Sequence, residues 1–201
     1  MNLWLLIPIK PFCQAKSRLA GHLSSAERAE LSRRLLANVL SVAHSAGVLA
    51  GILVVTRDES ALVQARAVGA YGVLERGRGL NQALRQARRE AIRRGADAVL
   101  VMPADLPQIT IQDVWELYQL GLSGPGVVIA PSRDGGTNAL LLRPPGVIEF
   151  AFGPRSFERH CLLAQAAGLP VRVLDSPTLA IDVDWPEDLQ VLKIERASPV
   201  P

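Results

Sequence analysis

Short apolar runs alternate with stretches of helical periodicity through the first two thirds of this chain, and that alternation limits the fold more than any other feature. Runs at Leu3 to Ile9, Gly51 to Thr56, Tyr71 to Leu74 and Ala98 to Met102 read as strands, and each is followed by a helical pattern. Strands interleaved with helices form β-α-β units, which build a parallel sheet covered by helices on both faces. Further strands are expected at Val127 to Ala130, Ala139 to Leu142 and Val171 to Leu174. The longest helix opens with a capping box, Ser24 and Glu27. It carries Leu31, Leu35, Val39 and Val42 on one face and is stopped by Gly47. Shorter helices fit Ser60 to Val68, Asn81 to Arg94, Ile111 to Leu120, Ser156 to Ala167 and Pro186 to Glu195.

The 201 residues suffice for one domain with a substantial core and are too few for two ordinary ones. No linker, repeat or low-complexity segment divides them. The expectation is a single domain over 1–196 and a flexible tail over 197–201. The apolar share of 49% and charged share of 20% are those of a soluble globular protein. Two cysteines, Cys13 and Cys161, make neither a disulfide framework nor a metal-binding spacing, so free thiols in a reducing compartment are expected. The Leu3 to Ile9 run has no basic flank or cleavage site and is too short to span a bilayer. A cytoplasmic protein without membrane attachment follows as the expectation.

The net charge of +3 is small, yet basic residues gather after the first strand and along the helix carrying Arg85, Arg88, Arg89, Arg93 and Arg94. The helix arginines read as a solvated face. With only two Tyr, four Phe and three Trp as stacking platforms, nucleic acid is not an expected partner. Small anionic ligands are.

In open α/β sheets ligands sit beyond the carboxyl ends of the strands, and the polar clusters of this sequence fall there. Lys10, Lys16 and Arg18 follow the first strand, Thr56-Arg57-Asp58 the second, and Asp105 the fourth. Three cations within nine residues suit a polyphosphate. Neither a P-loop nor a dinucleotide fingerprint occurs. Asp105, where an apolar strand gives way to Leu106-Pro107, suits a Mg²⁺ ligand, or else it opens a turn before the next helix. Asp182 and Asp184 are two apart, so an extended backbone sends both carboxylates to one side and Val183 to the other. Two such charges call for a cation between them, although Asp184 also fits a cap for the last helix.

Two glycine-containing stretches offer N–H groups to an anion: Ser132-Arg133-Asp134-Gly135-Gly136-Thr137-Asn138, and Gly153-Pro154-Arg155-Ser156. The alternative for the first is a plain hairpin turn. Gly77-Arg78-Gly79-Leu80-Asn81 could meet a nucleotide's base or ribose, or start a helix with Asn81 as its cap. His22, His44 and His160 lack a nucleophile at a catalytic spacing and read as surface or helix-packing residues.

These residues together resemble the guanylyltransferases of deazaflavin coenzyme biosynthesis (CofC or FbiD type), which join GTP to 2-phospho-L-lactate or phosphoenolpyruvate on the route to coenzyme F-420. The resemblance runs through most of the chain: Ile7 to Leu19, Gly79-Leu80-Asn81, Ala104 to Pro107, Arg133 to Leu142, Phe152 to Phe157 and Ile181 to Leu189. It implies a Rossmann-like, doubly wound, mostly parallel sheet in three α/β/α layers, the nucleotidyltransferase (nucleotide-diphospho-sugar transferase-like) fold. It also implies Mg²⁺ at Asp105, Asp182 and Asp184, and the acceptor acid at Thr137, Gly153 and Ser156. The nucleotide falls to Lys10, Lys16, Arg18, Gly79 and Asn81, with Asp105, Lys16 and Arg18 catalytic. The related molybdenum-cofactor enzymes carry a glycine-rich N-terminal loop that this chain lacks. A D-x-D glycosyltransferase and a non-catalytic nucleotide-binding regulator are the rival readings. Which three-carbon acid is taken, which base is preferred and whether the chain forms a homodimer stay open at this stage.

Overall fold

The computed structural model describes residues 1–190 and Leu192. Seven strands form one sheet: β1 (Leu3–Pro8), β2 (Gly51–Thr56), β3 (Tyr71–Leu74), β4 (Ala98–Val101), β5 (Gly126–Pro131), β6 (Thr137–Arg143) and β7 (Val171–Val173). Their order is β3-β2-β1-β4-β6-β5-β7. β1 pairs parallel with β2 and β4, β2 with β3, and β5 with β7. Only β6 runs against its neighbours, lying antiparallel between β4 and β5. The turn between β5 and β6 is therefore the hairpin that the sequence offered as an alternative.

Among the described residues five α-helices cover the sheet: α1 (Ser25–Ser45), α2 (Glu59–Ala67), α3 (Leu80–Arg93), α4 (Ile111–Leu122) and α5 (Ser156–Ala166). Alternation along β1 separates two cores. Leu3, Leu5 and Ile7 pack with Leu36 and Leu40 of α1, Ala61 of α2 and Leu117 of α4. Trp4 and Leu6 pack with Leu84 and Ala87 of α3 and Ala164 of α5 on the opposite face. Both faces are thus buried, the condition under which parallel strands can be apolar throughout. The capping box at Ser24 and Glu27 is formed, and a second one, Thr110 with Asp113, opens α4.

Three readings need correction. The last helix, expected from Pro186, begins as a 3₁₀ turn over Pro186–Asp188, and its expected end lies outside the described residues, as does the 197–201 tail. Its start is capped not by Asp184 but by Asp188, whose Oδ2 accepts from Asp184 N–H (2.9 Å) and Trp185 N–H (2.7 Å). The arginines of α3 are not all solvated: Arg88 lies over the Phe150 ring at 4.9 Å and donates to Ile148 C=O (3.2 Å) and Glu149 (2.7 Å). Both cysteines are free. Among the described residues no helix is long and apolar enough to cross a membrane.

Candidate active site

The carboxyl ends of β1, β2 and β4 open onto a cavity of about 430 Å³ lined by Lys10, Lys16, Arg57, Glu75, Gly79, Asp105 and Asp184, among others. A larger groove of about 1050 Å³ runs along edge strand β3, and its walls include Arg66, Arg76, Arg85 and Arg89. The smaller cavity is the one that Asp105 and Asp184 line beside Lys16, which makes it the candidate site.

After β1 the chain makes two 3₁₀ turns, Phe12–Gln14 and Ser17–Leu19. The first is pinned by Phe12 N–H donating to Asp58 Oδ2 (2.7 Å). Between the turns Lys16 takes a left-handed backbone, φ 54°, uncommon for a residue with a side chain. Its ammonium donates to Asp105 Oδ2 and reaches Asp184 Oδ1 at 3.4 Å. The Lys16 side chain is only 7% exposed. Burial alone would lower its pKa, but the charges and hydrogen bonds of Asp105 and Asp184 outweigh that and raise it, so it stays protonated. Arg18 pairs with Asp184 Oδ2 at 2.7 Å, stacks over Trp185 at 4.7 Å, and keeps half its side chain in solvent.

Asp105 stands in the turn after β4, and the segment bearing Asp182 and Asp184 is laid against it by Val183 N–H donating to Asp105 C=O (3.2 Å). Val183 points the other way and is fully buried with Leu19 and Leu35. The two carboxylates are thereby driven to one side, as their spacing requires. Asp105, Asp182 and Asp184 each bring an oxygen within 4.8 Å of the other two. Asp182 is the least compensated of the three. Its partner is Asn138 Nδ2 at 3.4 Å, which also donates to Leu179 C=O (2.8 Å). Burial, then the neighbouring Asp105 and Asp184 charges, push its carboxyl up to about 6. Lys16 and Arg18 pair with Asp105 and Asp184, whereas among the described residues no cation forms an ion pair with Asp182. An all-carboxylate donor set of this kind can hold a hard metal ion.

The two glycine-containing stretches meet where β6 begins, at the end of the sheet to which β4 and β5 also bring their carboxyl ends. Phe157 N–H donates to Gly135 C=O (3.4 Å), joining the start of α5 to the β5–β6 turn. Gly153 has φ 130°, a backbone that side chains rarely adopt. Ser156 Oγ donates to Thr137 Oγ1 (3.1 Å), and Thr137 Oγ1 lies 3.2 Å from His160 Nδ1. Ala151 N–H donates to His160 Nε2 (3.0 Å). His160 is fully buried, and burial, with a smaller contribution from Arg159, pushes its pKa down to about 4. A neutral ring whose Nε2 accepts must carry its proton on Nδ1, and that proton goes to Thr137. The Thr137 oxygen thus accepts twice, and its own O–H has no acceptor among the described residues.

His160 is buried in α5 and packs edge-on against Phe152, so the helix-packing reading holds and the surface one does not; what the sequence concealed is its bond to Thr137. Its spacing from Ser156, one helical turn along α5, was the only available signal. Asn81 also departs from expectation. Gly79, not Asn81, is the N-cap of α3. The Asn81 amide is engaged with Phe152 instead, donating to its C=O (3.0 Å) and accepting from its N–H (2.9 Å). Lys10 is exposed at the mouth of the cavity.

Residues 3–196 match the family model described as "Guanylyl transferase CofC like". A phosphoenolpyruvate guanylyltransferase of Rubrobacter xylanophilus is 44% identical over 194 residues, covering 96% of this chain and 94% of that protein. One from Sphaerobacter thermophilus is 44% identical over 188 residues, covering 93% and 90%. Among solved structures, one described as a nucleotide-diphospho-sugar transferase from Desulfovibrio desulfuricans superposes with a TM-score of 0.79 at 21% identity, over 98% of this chain and 88% of that one. That last likeness is one of fold alone.

Proposed function

The chain belongs to the family of CofC-like guanylyl transferases, and from that premise we propose that it transfers GMP from GTP to phosphoenolpyruvate or a closely related three-carbon phosphorylated acid, releasing pyrophosphate. The observation that carries this reading is the convergence of Asp105, Asp182 and Asp184 beside Lys16 at the mouth of the sheet. A glycosyltransferase has a use for the D-x-D pair but not for a hydroxyl donor and glycine backbone suited to an anionic acceptor. A non-catalytic regulator has no use for three converging carboxylates.

In this reading residues 1–196 act as one domain. Asp105, Asp182 and Asp184 hold Mg²⁺, which when bound supplies positive charge to the phosphate oxygens. Lys10, Lys16 and Arg18 steady the triphosphate, and the Lys16 ammonium faces the charge that develops on the departing pyrophosphate. Gly79 lets the backbone approach the nucleoside. On the acceptor side, the free O–H of Thr137 donates to an acceptor oxygen, and the Gly153 backbone and the α5 N-terminus at Ser156 supply further donors. An acceptor phosphate oxygen attacks the α-phosphorus in line, a new P–O–P linkage forms, and the bond to the β-phosphate oxygen breaks. A phosphate monoester has a second pKa of about 6, so the nucleophile is already ionised at neutral pH and no protein base is required. His160, neutral and hydrogen-bonded at both nitrogens, fits a positioning task and not proton transfer.

Incubation with GTP, Mg²⁺ and each of phosphoenolpyruvate, 2-phospho-L-lactate and 3-phospho-D-glycerate, with mass detection of the diphosphate-linked product and of pyrophosphate, tests the proposal. Product with phosphoenolpyruvate at the highest kcat/KM is expected. Pyrophosphate release without an acid, or no product with any acid, overturns it.

A further inference from the structure

The cavity holds one carboxylate that the reaction does not use. Glu75 lines the same space as Lys16, Asp105 and Asp184 but follows β3, whereas those three cluster around the strand ends of β1 and β4. Its N–H donates to Thr56 C=O (2.8 Å), extending the β2–β3 pairing past Leu74 and fixing the backbone. Its side chain is only 13% exposed. Arg57 donates to Oε1 at 3.1 Å and also to Gly77 C=O, so the carboxylate is held in place from one side. Among the described residues no donor reaches Oε2. Pro8, Ile9, Leu80 and Ala83 line the same cavity, apolar walls of the kind that take the faces of a planar ring.

We propose that Glu75 is the residue that selects guanine, its carboxylate accepting the adjacent N1–H and exocyclic N2–H of the base while Arg57 fixes its orientation. This rests on the reading of the cavity as the GTP site. An ionised carboxylate has only acceptors to offer. Guanine presents two neighbouring donors on that edge, and paired, charge-assisted hydrogen bonds are the strong ones. Adenine places a bare ring nitrogen there, lone pair against lone pair. A buried acceptor left without its donor is what gives such a site its discrimination.

The experiment measures equilibrium binding and kcat/KM for GTP, ITP and ATP with the wild-type protein and with Glu75→Gln. ITP keeps N1–H and lacks the 2-amino group. The wild type should favour GTP over ITP, and ITP over ATP. Glu75→Gln should weaken GTP roughly 10- to 100-fold, weaken ITP less, and leave ATP unchanged or improved. Equal losses for all three nucleotides would overturn the proposal and make Glu75 a support for its loop. An Arg57→Ala variant, which loosens that loop but keeps the carboxylate, should preserve the order of the three. Should Glu75→Gln not fold, N1-methyl-GTP on the wild type decides: binding as tight as GTP overturns the assignment. A wild type that binds GTP selectively yet transfers to no acid refutes the proposed reaction and leaves the assignment of Glu75 standing.

Discussion

Lys16 and Asp105, 89 positions apart in the chain, form an ion pair at the mouth of the sheet, with the lysine side chain buried and its backbone left-handed. Residues held in such conformations persist only where their surroundings over-determine them, and they cluster at functional sites. The pair has a consequence for both stability and turnover.

Lys16→Ala should lower kcat by an amount equivalent to roughly 2–4 kcal/mol of transition-state stabilisation. It should also destabilise the metal-free protein by about 1–3 kcal/mol, because three carboxylates then face one another without the ammonium. Arg18→Ala should lower kcat but leave the melting temperature nearly unchanged, since its side chain is 53% exposed. Steady-state kinetics and melting curves on both variants, with and without Mg²⁺, separate the two roles. Mg²⁺ should raise the melting temperature of Lys16→Ala more than that of the wild type; an equal gain would show that the carboxylates do not share the ion.

The two buried titrating groups should oppose each other in the metal-free protein. Asp182 is raised from 3.8 to about 6. The folded state therefore holds the extra proton between those values, and stability falls as pH rises across that window. His160 is lowered from 6.5 to about 4. There the unfolded state holds the extra proton, so stability is full above 6.5 and is lost as pH falls toward 4. Each contributes up to about 3 kcal/mol. Urea unfolding in EDTA from pH 4 to 7 should give a steeper rise with pH for Asp182→Asn than for the wild type, and a shallower one for His160→Gln. Other groups titrate alike in all three proteins, so coincident slopes would count against both assignments.

Ser156→Ala and Thr137→Val should raise the KM for the acceptor acid and leave that for GTP within about twofold. The Thr137 change should be the larger, roughly 10-fold or more, because it removes the donor and strands the His160 N–H in a buried place. His160→Gln should affect the acceptor KM and not that of GTP. Equal changes for both substrates would place these three residues outside the acceptor site.

Much of this was legible in the sequence, for reasons that differ from element to element. Gly51–Thr56 and Tyr71–Leu74 read correctly to the residue, their carboxyl ends set by the charged Arg57 and Glu75 that follow. Asp105, Asp182 and Asp184 were readable because a carboxylate at a strand end and a pair two apart each state a direction. The antiparallel insertion of β6 between β4 and β5 was not, since a hairpin fixes only its own two strands and not which neighbour receives them. The contacts of His160 with Ala151 and Thr137 escaped because they depend on where α5 lands, which local periodicity does not encode. The reading of Asn81 as the cap of α3 failed for the same reason: its partner Phe152 lies 71 residues away.

That Asn81–Phe152 bond pair ties the first turn of α3, next to Gly79 in the nucleotide cavity, to the residue preceding Gly153 in the acceptor stretch. Two segments proposed to hold the two substrates, from distant parts of the chain, are thereby yoked into a single body, so that ordering one should restrain the other. The result should be cooperation between unlike ligands: GTP already in place should tighten the acceptor acid, and by thermodynamic reciprocity the acid should tighten GTP by the same factor. In Asn81→Ala, calorimetry should find each ligand binding alone much as before and the mutual enhancement gone. An enzyme yoked in this way favours the fully loaded complex over either half-loaded one, which protects its nucleotide from idle cleavage while the second substrate is absent.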